Sequence, residues 1–236
     1  MNVLCKNQFM SFKRHDKLAV IGSGYSINDV SIEKLVKIDI GYDTIGMNWS
    51  CKLHRPMTWY IVREQAASPK RIGRLQTLSD FLHDINRTQT TLIIKDMSYR
   101  EGNYIHAQHT DKFTHDGMIF KEIPGKCKAA AFGDDIFEDG IHHGKATMWD
   151  VLHFAVGMKY REILFIGVDL YDSRYFWLPY DEASPMVQAE GRSCNDPHLA
   201  AENTIRIVCD TRDTFGIEMY VENPKSLLAK HIEVWK

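Results

Sequence analysis

The sequence predicts an α/β protein with a mostly parallel sheet and helices on both of its faces. Apolar runs rich in β-branched residues recur along the chain, and helical patterns separate most of them. Such alternation favours crossover connections and hence a parallel sheet, as in Rossmann-like folds. With 236 residues, we expect one Rossmann-type domain over residues 1–236. The expected strands are Leu18–Ile21, Thr44–Met47, Thr58–Val62, Thr91–Ile94, Met118–Phe120, Ile163–Ile166 and Ile217–Val221.

Two helices can be placed from their patterns. Residues 145–158 repeat apolar side chains at three- and four-residue spacing, which predicts a helix with one apolar face. The stretch "NDPHLAAENTIRIV" predicts a second helix, with Asp196 as its N-cap and Pro197 at its first position. His198 then falls in the first helical turn. Residues 172–197 are aromatic and polar without periodicity, and we interpret them as a lid.

Composition excludes several classes of function. A net charge of −2 and a pI near 6.6 give no broad basic surface, so nucleic-acid binding is left open but unsupported. The five cysteines are scattered, which argues against a disulfide framework or a zinc ribbon. There is no signal-peptide pattern and no apolar stretch of bilayer length. We expect a cytoplasmic protein, with peripheral membrane contact left open and the oligomeric state undetermined.

The stretch "KLAVIGSGYSINDV" resembles a dinucleotide-binding turn, but it departs from that fingerprint twice. Ile27 stands where the third glycine belongs, and the second strand ends on Asn48 rather than on a ribose-binding acid. NAD binding is therefore disfavoured. Two interpretations stay open: a phosphate site at a helix N-terminus near Ser26, or a purely structural turn.

Four segments, taken together and in order, resemble the bacterial sialyltransferase family of the lipooligosaccharide type. The family's "GNGPSL"-like loop is similar to "GSGYSI", and its strand end "RCNQ" is similar to "GMNWS". Its "TSGVYM…ALGYKEIYLSGIDFY" is similar to "ATMWDVLHFAVGMKYREILFIGVDLY", and its "CPNSLLA" to "ENPKSLLA". The third match is the most specific. Residues 64–140 show no match.

The resemblance implies transfer of a sialic-acid-like sugar from a CMP donor to a hydroxyl of a glycan or glycolipid, with inversion, without metal and without a cofactor. It implies that Tyr171 and Tyr175 hydrogen-bond the leaving phosphate and that His198 is the general base. The remaining implied residues bind the nucleotide or substrate; they are Gly22, Ser23, Gly24, Ser26, Asn48, Thr147, Gly167 and Asp169. Each also has a structural interpretation: packing for the tyrosines, a solvated helix start for His198, and a turn cap for Asp169.

Metal sites and other enzyme classes are less well supported. The histidines His106, His109 and His115 could bind zinc, but no HExxH motif or cysteine stands near them in the sequence. The stretch "FGDDIFEDG" is not a D-x-D motif and favours a solvated turn. Three alternatives stay open: a UDP-sugar transferase acting on another acceptor such as modified nucleic acid, a pterin pyrophosphokinase-like enzyme, and a non-catalytic nucleotide-binding domain.

Overall fold

A computed structural model describes residues 1–62, 78–96, 107–123, 128–133, 135–144, 146–171, 175–177 and 197–236, without the side chains of 78–80, 107–109 and 197–200. The strands are β1 (Asn2–Val3), β2 (Lys17–Ile21), β3 (Asp43–Met47), β4 (Trp59–Val62), β5 (Thr91–Asp96), β6 (Asp116–Ile123), β7 (Ile141–His142), β8 (Glu162–Ile166), β9 (Glu218–Val221) and β10 (Glu233–Val234). The α-helices are α1 (Lys6–Met10), α2 (Ile32–Gly41), α3 (Leu78–Ile85), α4 (Ile136–Asp139), α5 (Thr147–Gly157) and α6 (Pro197–Phe215).

The strands form one sheet in the order β1-β6-β5-β4-β3-β2-β8-β9-β10, with β7 also paired to β6. Every pairing between these described strands is parallel. The chain starts the central sheet at β2, adds β3 to β6 on one side, and returns to add β8 and β9 on the other. The order therefore reverses between β2 and β8, which is the topological switch point where open α/β sheets bind ligands. The predicted α/β class is confirmed.

The sheet separates two hydrophobic cores, because successive residues of a strand point to opposite faces. In β4, Trp59 and Ile61 belong to one core, and Tyr60 and Val62 belong to the other. The first core takes α1, α5 and α6, and the second takes α2 and α3. Burial on both faces explains why β4 and β8 read as nearly continuous apolar runs.

The predicted elements agree with the observed ones to within a few residues. Each predicted strand overlaps one of β2, β3, β4, β5, β6, β8 and β9, and the helices predicted at 145–158 and from Pro197 are α5 and α6. Of the proposed lid, only residues 175–177 and Pro197 lie within the described chain. No helix in the described ranges is long and apolar enough to cross a membrane.

Candidate functional site

The turn after β2 and the loop after β8 touch at the switch point. The amide of Gly22 donates to the carbonyl of Ile166 (2.8 Å), and the amide of Gly24 donates to that of Gly167 (2.9 Å). A Cβ on Gly22 would lie 2.3 Å from the Gly167 oxygen, and one on Gly24 would lie 2.5 Å from Asp169 Oδ2. The glycines are thus required by this close approach. Their role in nucleotide binding stays a prediction.

Ser26 supports the loop and does not face an open phosphate site. Its side chain is buried, and both its amide (3.0 Å) and its hydroxyl donate to Asp169. The turn continues into a short 3-10 helix, Tyr25–Asp29, so no α-helix begins directly behind it. The α-helix N-terminus that the phosphate-site interpretation requires is therefore not formed by this turn, which favours the structural interpretation. Nucleotide or substrate binding by Ser26 stays a prediction.

Asp169 lies at the centre of a buried network that includes the C-terminal part of the chain. It is only 2% exposed and also accepts a hydrogen bond from Asn223 Nδ2 (3.0 Å). The same Nδ2 group contacts the hydroxyl of Tyr171 at 3.4 Å, a long hydrogen bond. These are the contacts of a carboxylate that caps a turn. A role for Asp169 in orienting a sugar stays a prediction.

Tyr171 and Tyr175 make contacts with different parts of the site. Tyr171 is 46% exposed, follows the left-handed residue Leu170 (φ 63°), and points its hydroxyl toward Asn223. Tyr175 pairs with Gly24 in an antiparallel bridge and stacks on Trp177, with ring centroids 4.4 Å apart. The aromatic residues therefore lie over the turn after β2.

Further hydrogen bonds hold this aromatic segment in place. The amide of Phe176 donates to the carbonyl of Ser23 (3.4 Å), and Asn28 Nδ2 donates to the Phe176 carbonyl (3.0 Å). Trp177 approaches Trp49, which follows β3, with ring centroids 6.3 Å apart. The described part of the lid thus spans from β2 to the end of β3.

Asn48 and the N-terminus of α5 form the second half of the site. Asn48 follows β3 in the left-handed conformation (φ 55°), which asparagine tolerates better than most residues. The Thr147 hydroxyl, at the first position of α5, donates to Asn48 Oδ1 at 2.9 Å. Since Oδ1 accepts, the amide nitrogen Nδ2 is the group of Asn48 that remains to donate to a ligand. The positive end of the α5 dipole lies beside it.

His198 falls in the first turn of α6, as the sequence predicted, but its side chain lies outside the described residues. Its general-base role therefore stays a prediction. Of the histidines considered for zinc, His115 is described: its Nε2 lies 2.7 Å from the carbonyl of Thr88. No group of three or more potential metal-ligating side chains was found among the described residues.

Most of the acidic stretch after Phe132 forms the short helix α4 rather than the expected turn, and Glu138 and Asp139 are exposed on it. Asp135 caps α4 by accepting from the Phe137 amide (2.9 Å), and it pairs with Lys6 at 2.7 Å. Both contacts lower the pKa of Asp135, the Lys6 contact more than the Phe137 contact. The carboxylate of Asp135 thus serves within the fold as a helix cap and an ion-pair partner.

Sequence reasoning missed a buried charge cluster between the ends of β5 and β6 and the first turn of α5. Lys95 Nζ, at the end of β5, lies 2.9 Å from Asp150 Oδ2, 3.0 Å from Glu122 Oε2 and 2.9 Å from His143 Nδ1. The side chains of Lys95, Glu122 and Asp150 have no solvent exposure. Because Asp150 belongs to the first turn of α5, the cluster fixes the helix whose N-terminus meets Asn48. The signal in the sequence was a lysine within the apolar strand β5 and an aspartate within the apolar helix α5.

A groove of about 570 Å³ lies elsewhere, between Gly216 at the end of α6 and the edge strands β9 and β10. It is lined by Gly216, Glu218 and Lys230 among others, and it shares none of the predicted site residues. It therefore does not belong to the site at the switch point.

No family model matches the sequence, and no curated protein matches it. Among solved structures, the chain is similar to a variant of the sialyltransferase CST-II of Campylobacter jejuni in complex with CMP, with a TM-score of 0.50 and 15% identity over 92% of this chain and 85% of that one. It is also similar to an alpha-2,3-sialyltransferase of C. jejuni in apo form, with a TM-score of 0.48 and 11% identity over 100% of this chain and 83% of that one. A third similar structure is the MAf glycosyltransferase of Magnetospirillum magneticum AMB-1, with a TM-score of 0.44 and 20% identity over 72% of this chain and 25% of that one. At these identities the first likeness shows the fold, and it confirms the fold that the resemblance implied.

Proposed function

We propose that this protein is a glycosyltransferase that moves a sialic-acid-like sugar from a CMP donor to a hydroxyl of a glycan or glycolipid, with inversion and without a metal ion. The observation that carries the proposal is the orientation of two donors at the switch point. Asn48 accepts from Thr147 through Oδ1, and Tyr171 accepts from Asn223 through its hydroxyl oxygen. Both side chains thus keep a hydrogen that they can donate, and both residues follow the carboxyl ends of parallel strands, which lie at one edge of the sheet.

These donors suit a leaving nucleotide. In the transfer, the acceptor oxygen bonds to the anomeric carbon while the bond from that carbon to the CMP phosphate oxygen breaks, and its electron pair stays on the phosphate. The Tyr171 hydroxyl donates to this growing charge and so stabilises the transition state more than the bound donor. The amide of Asn48 and the N-terminus of α5 hold the nucleotide. A leaving group with one phosphate needs less charge compensation than a diphosphate, which supports the metal-free form of the proposal.

His198 is the proposed general base that takes the proton of the acceptor hydroxyl. A place in the first turn of a helix disfavours the imidazolium, since the positive end of the helix dipole repels it. A neutral imidazole near pH 7 can accept a proton. The other residues of the turn after β2 and of the Gly167 loop support the site through packing.

The first experiment measures thermal stabilisation of the purified protein by CMP, CDP, UDP, GDP, ATP and NAD, with EDTA and then with magnesium. The proposal expects CMP to stabilise most, equally in EDTA. Preference for UDP would keep a transferase but change its donor, and preference for ATP or NAD would overturn the assignment.

The second experiment separates catalysis from binding. We expect His198→Ala to lose turnover of a CMP-sugar while stabilisation by CMP is retained, and Tyr171→Phe to lower kcat by about 100-fold, the effect of removing one donor to a developing charge. His231→Ala is the control, because His231 is exposed and lies next to β10, away from the site. Unchanged turnover in His198→Ala would refute its role as base.

A further inference from the structure

Helix α2 carries an exposed apolar stripe. Ile32, Val36 and Ile40 are 81%, 49% and 71% exposed and follow one another at four-residue spacing, which places them along one side of the helix. The opposite side packs inward through Ile38, which is fully buried. The other large apolar side chains exposed in the described part of the chain lie singly on other elements; they are Val3, Tyr171 and Val234. A contiguous stripe of this kind marks an interaction surface, whereas single exposed residues do not.

The charges on α2 favour a protein partner over a membrane surface. Lys34 and Asp39 already pair with charges of the same chain, Glu222 and Arg55. Glu33 and Lys37 remain beside the stripe, 3.5 Å apart and opposite in sign. Helices that lie on membranes carry a polar face rich in Lys and Arg, and α2 has equal numbers of acidic and basic residues.

We propose that α2 packs antiparallel against α2 of a second copy of this chain, with a two-fold axis passing beside Val36. A two-fold contact uses the same patch on both copies, so each residue meets its mirrored position. Val36 then meets Val36 of the second copy, and Ile32 meets Ile40. The stripe is symmetric about Val36 and therefore complements itself.

The same axis brings the remaining charges into complementary positions. Glu33 and Lys37 lie on one flank of the stripe, three residues before Val36 and one residue after it. The two-fold operation places the matching flanks of the two helices side by side with their directions reversed. Measured along the helix axis, Glu33 of each copy then lies within about two residues, or roughly 3 Å, of Lys37 of the other. Two reciprocal ion pairs thus flank the apolar contact.

The length of α2 sets the strength of the dimer. A ten-residue helix is about 15 Å long, so the contact buries less than the roughly 1,600 Å² of a standard stable interface. We expect a reversible dimer whose dissociation constant is on the order of micromolar. The proposal does not depend on the transfer reaction.

Sedimentation equilibrium of the full chain across the micromolar range tests the proposal. Val36→Glu places two like charges beside the axis and is expected to weaken the dimer at least tenfold. Val3→Glu is the matched control: it makes the same change at a residue 54% exposed on β1, and the dimer should keep its affinity. Thermal melts of both variants check that the fold is retained, which the exposure of both positions favours.

A charge exchange tests the register. Glu33→Lys and Lys37→Glu should each weaken the dimer, and the double exchange should restore it, because the reciprocal pairs form again with reversed sign. A wild type that stays monomeric across the range would overturn the proposal, as would equal weakening by Val3→Glu. So would wild-type binding to vesicles of anionic lipid that Val36→Glu abolishes while both proteins are monomers, since the stripe would then face a membrane.

Discussion

Replacing Lys95 by methionine should destabilise the protein strongly, because Lys95 is the cation shared by two buried carboxylates. Its Nζ lies 3.0 Å from Glu122 Oε2 and 2.9 Å from Asp150 Oδ2, and none of the three side chains is exposed. Methionine fills a similar volume but carries no charge. The variant therefore leaves two carboxylates close together in a region that water does not reach.

Removing one partner of a buried ion pair costs about 3–5 kcal/mol of unfolding free energy, since the remaining charge loses its compensation. Here both carboxylates lose their contact with Nζ, while His143 Nδ1 lies 3.7 Å from Glu122 Oε2 and 3.8 Å from Asp150 Oδ1. For a domain of this size, 1 kcal/mol shifts the melting temperature by about 2–4 °C. We therefore expect a decrease of about 10 °C or more in Tm for Lys95→Met.

Urea unfolding monitored by circular dichroism measures the free energy directly, provided that the m-value is unchanged. The control is Lys121→Met, which makes the same change at an exposed lysine on β6 next to Glu122 and should stay within about 0.5 kcal/mol of the wild type. If Lys95→Met loses no more stability than Lys121→Met, the cluster does not support the fold and the reasoning fails.

Three further changes test other parts of the structure. Gly24→Ala should lower the free energy of urea unfolding by about 1–3 kcal/mol, because the new Cβ would lie 2.5 Å from Asp169 Oδ2. Gly41→Ala is the control and should cost no stability, since its Cβ would meet nothing within 4 Å. Equal effects of the two changes would refute the close approach. Asn223→Ala should cost about 1–3 kcal/mol by removing one of the two donors to the buried Asp169 Oδ1, and should slow turnover through Tyr171; unchanged stability and rate would contradict the network. Burial and the neighbouring imidazole of His142 lower the pKa of His153 from 6.5 to about 4, so the unfolded chain binds a proton at a higher pH than the folded one. About 3 kcal/mol of unfolding free energy is therefore lost as pH falls from about 6.5 to 4. His153→Gln should lose less over that interval in urea unfolding at a series of pH values, and parallel curves of unfolding free energy against pH would refute this.

The central strands could be predicted from sequence because burial on both faces leaves a clear signature. β4 and β8 are buried along their whole length and stand out as apolar runs. The strands β1, β7 and β10 were missed because each has only two residues, too few to show a period, and β1 and β10 are exposed. An edge strand of this length is defined by its neighbour rather than by its own sequence.

The candidate site was likewise predicted only in part. The turn after β2, Asn48, Thr147 and the loop at Asp169 were all predicted, and the structure brings them to one edge in bonded pairs. Asn223 was missed as a site residue although its segment had been matched, because nothing in the sequence shows that it reaches Asp169 across 54 positions. Contacts between residues distant in sequence depend on the order of strands. One sequence predicts that strands exist more readily than it predicts their order.

The missing third glycine of the turn after β2 has a steric explanation in the structure. In the dinucleotide fingerprint that glycine lets the helix pack tightly against the strand. Here Ile27 occupies the position and is buried, and a Cβ on Gly167 would lie 3.3 Å from the Ile27 Cβ. Gly167, in the left-handed conformation (φ 63°), therefore supplies from the neighbouring strand end the room that the turn itself lacks. A turn fixed by this packing and by hydrogen bonds to the Gly167 loop is already ordered, so a ligand that binds beside it loses little affinity to ordering the backbone.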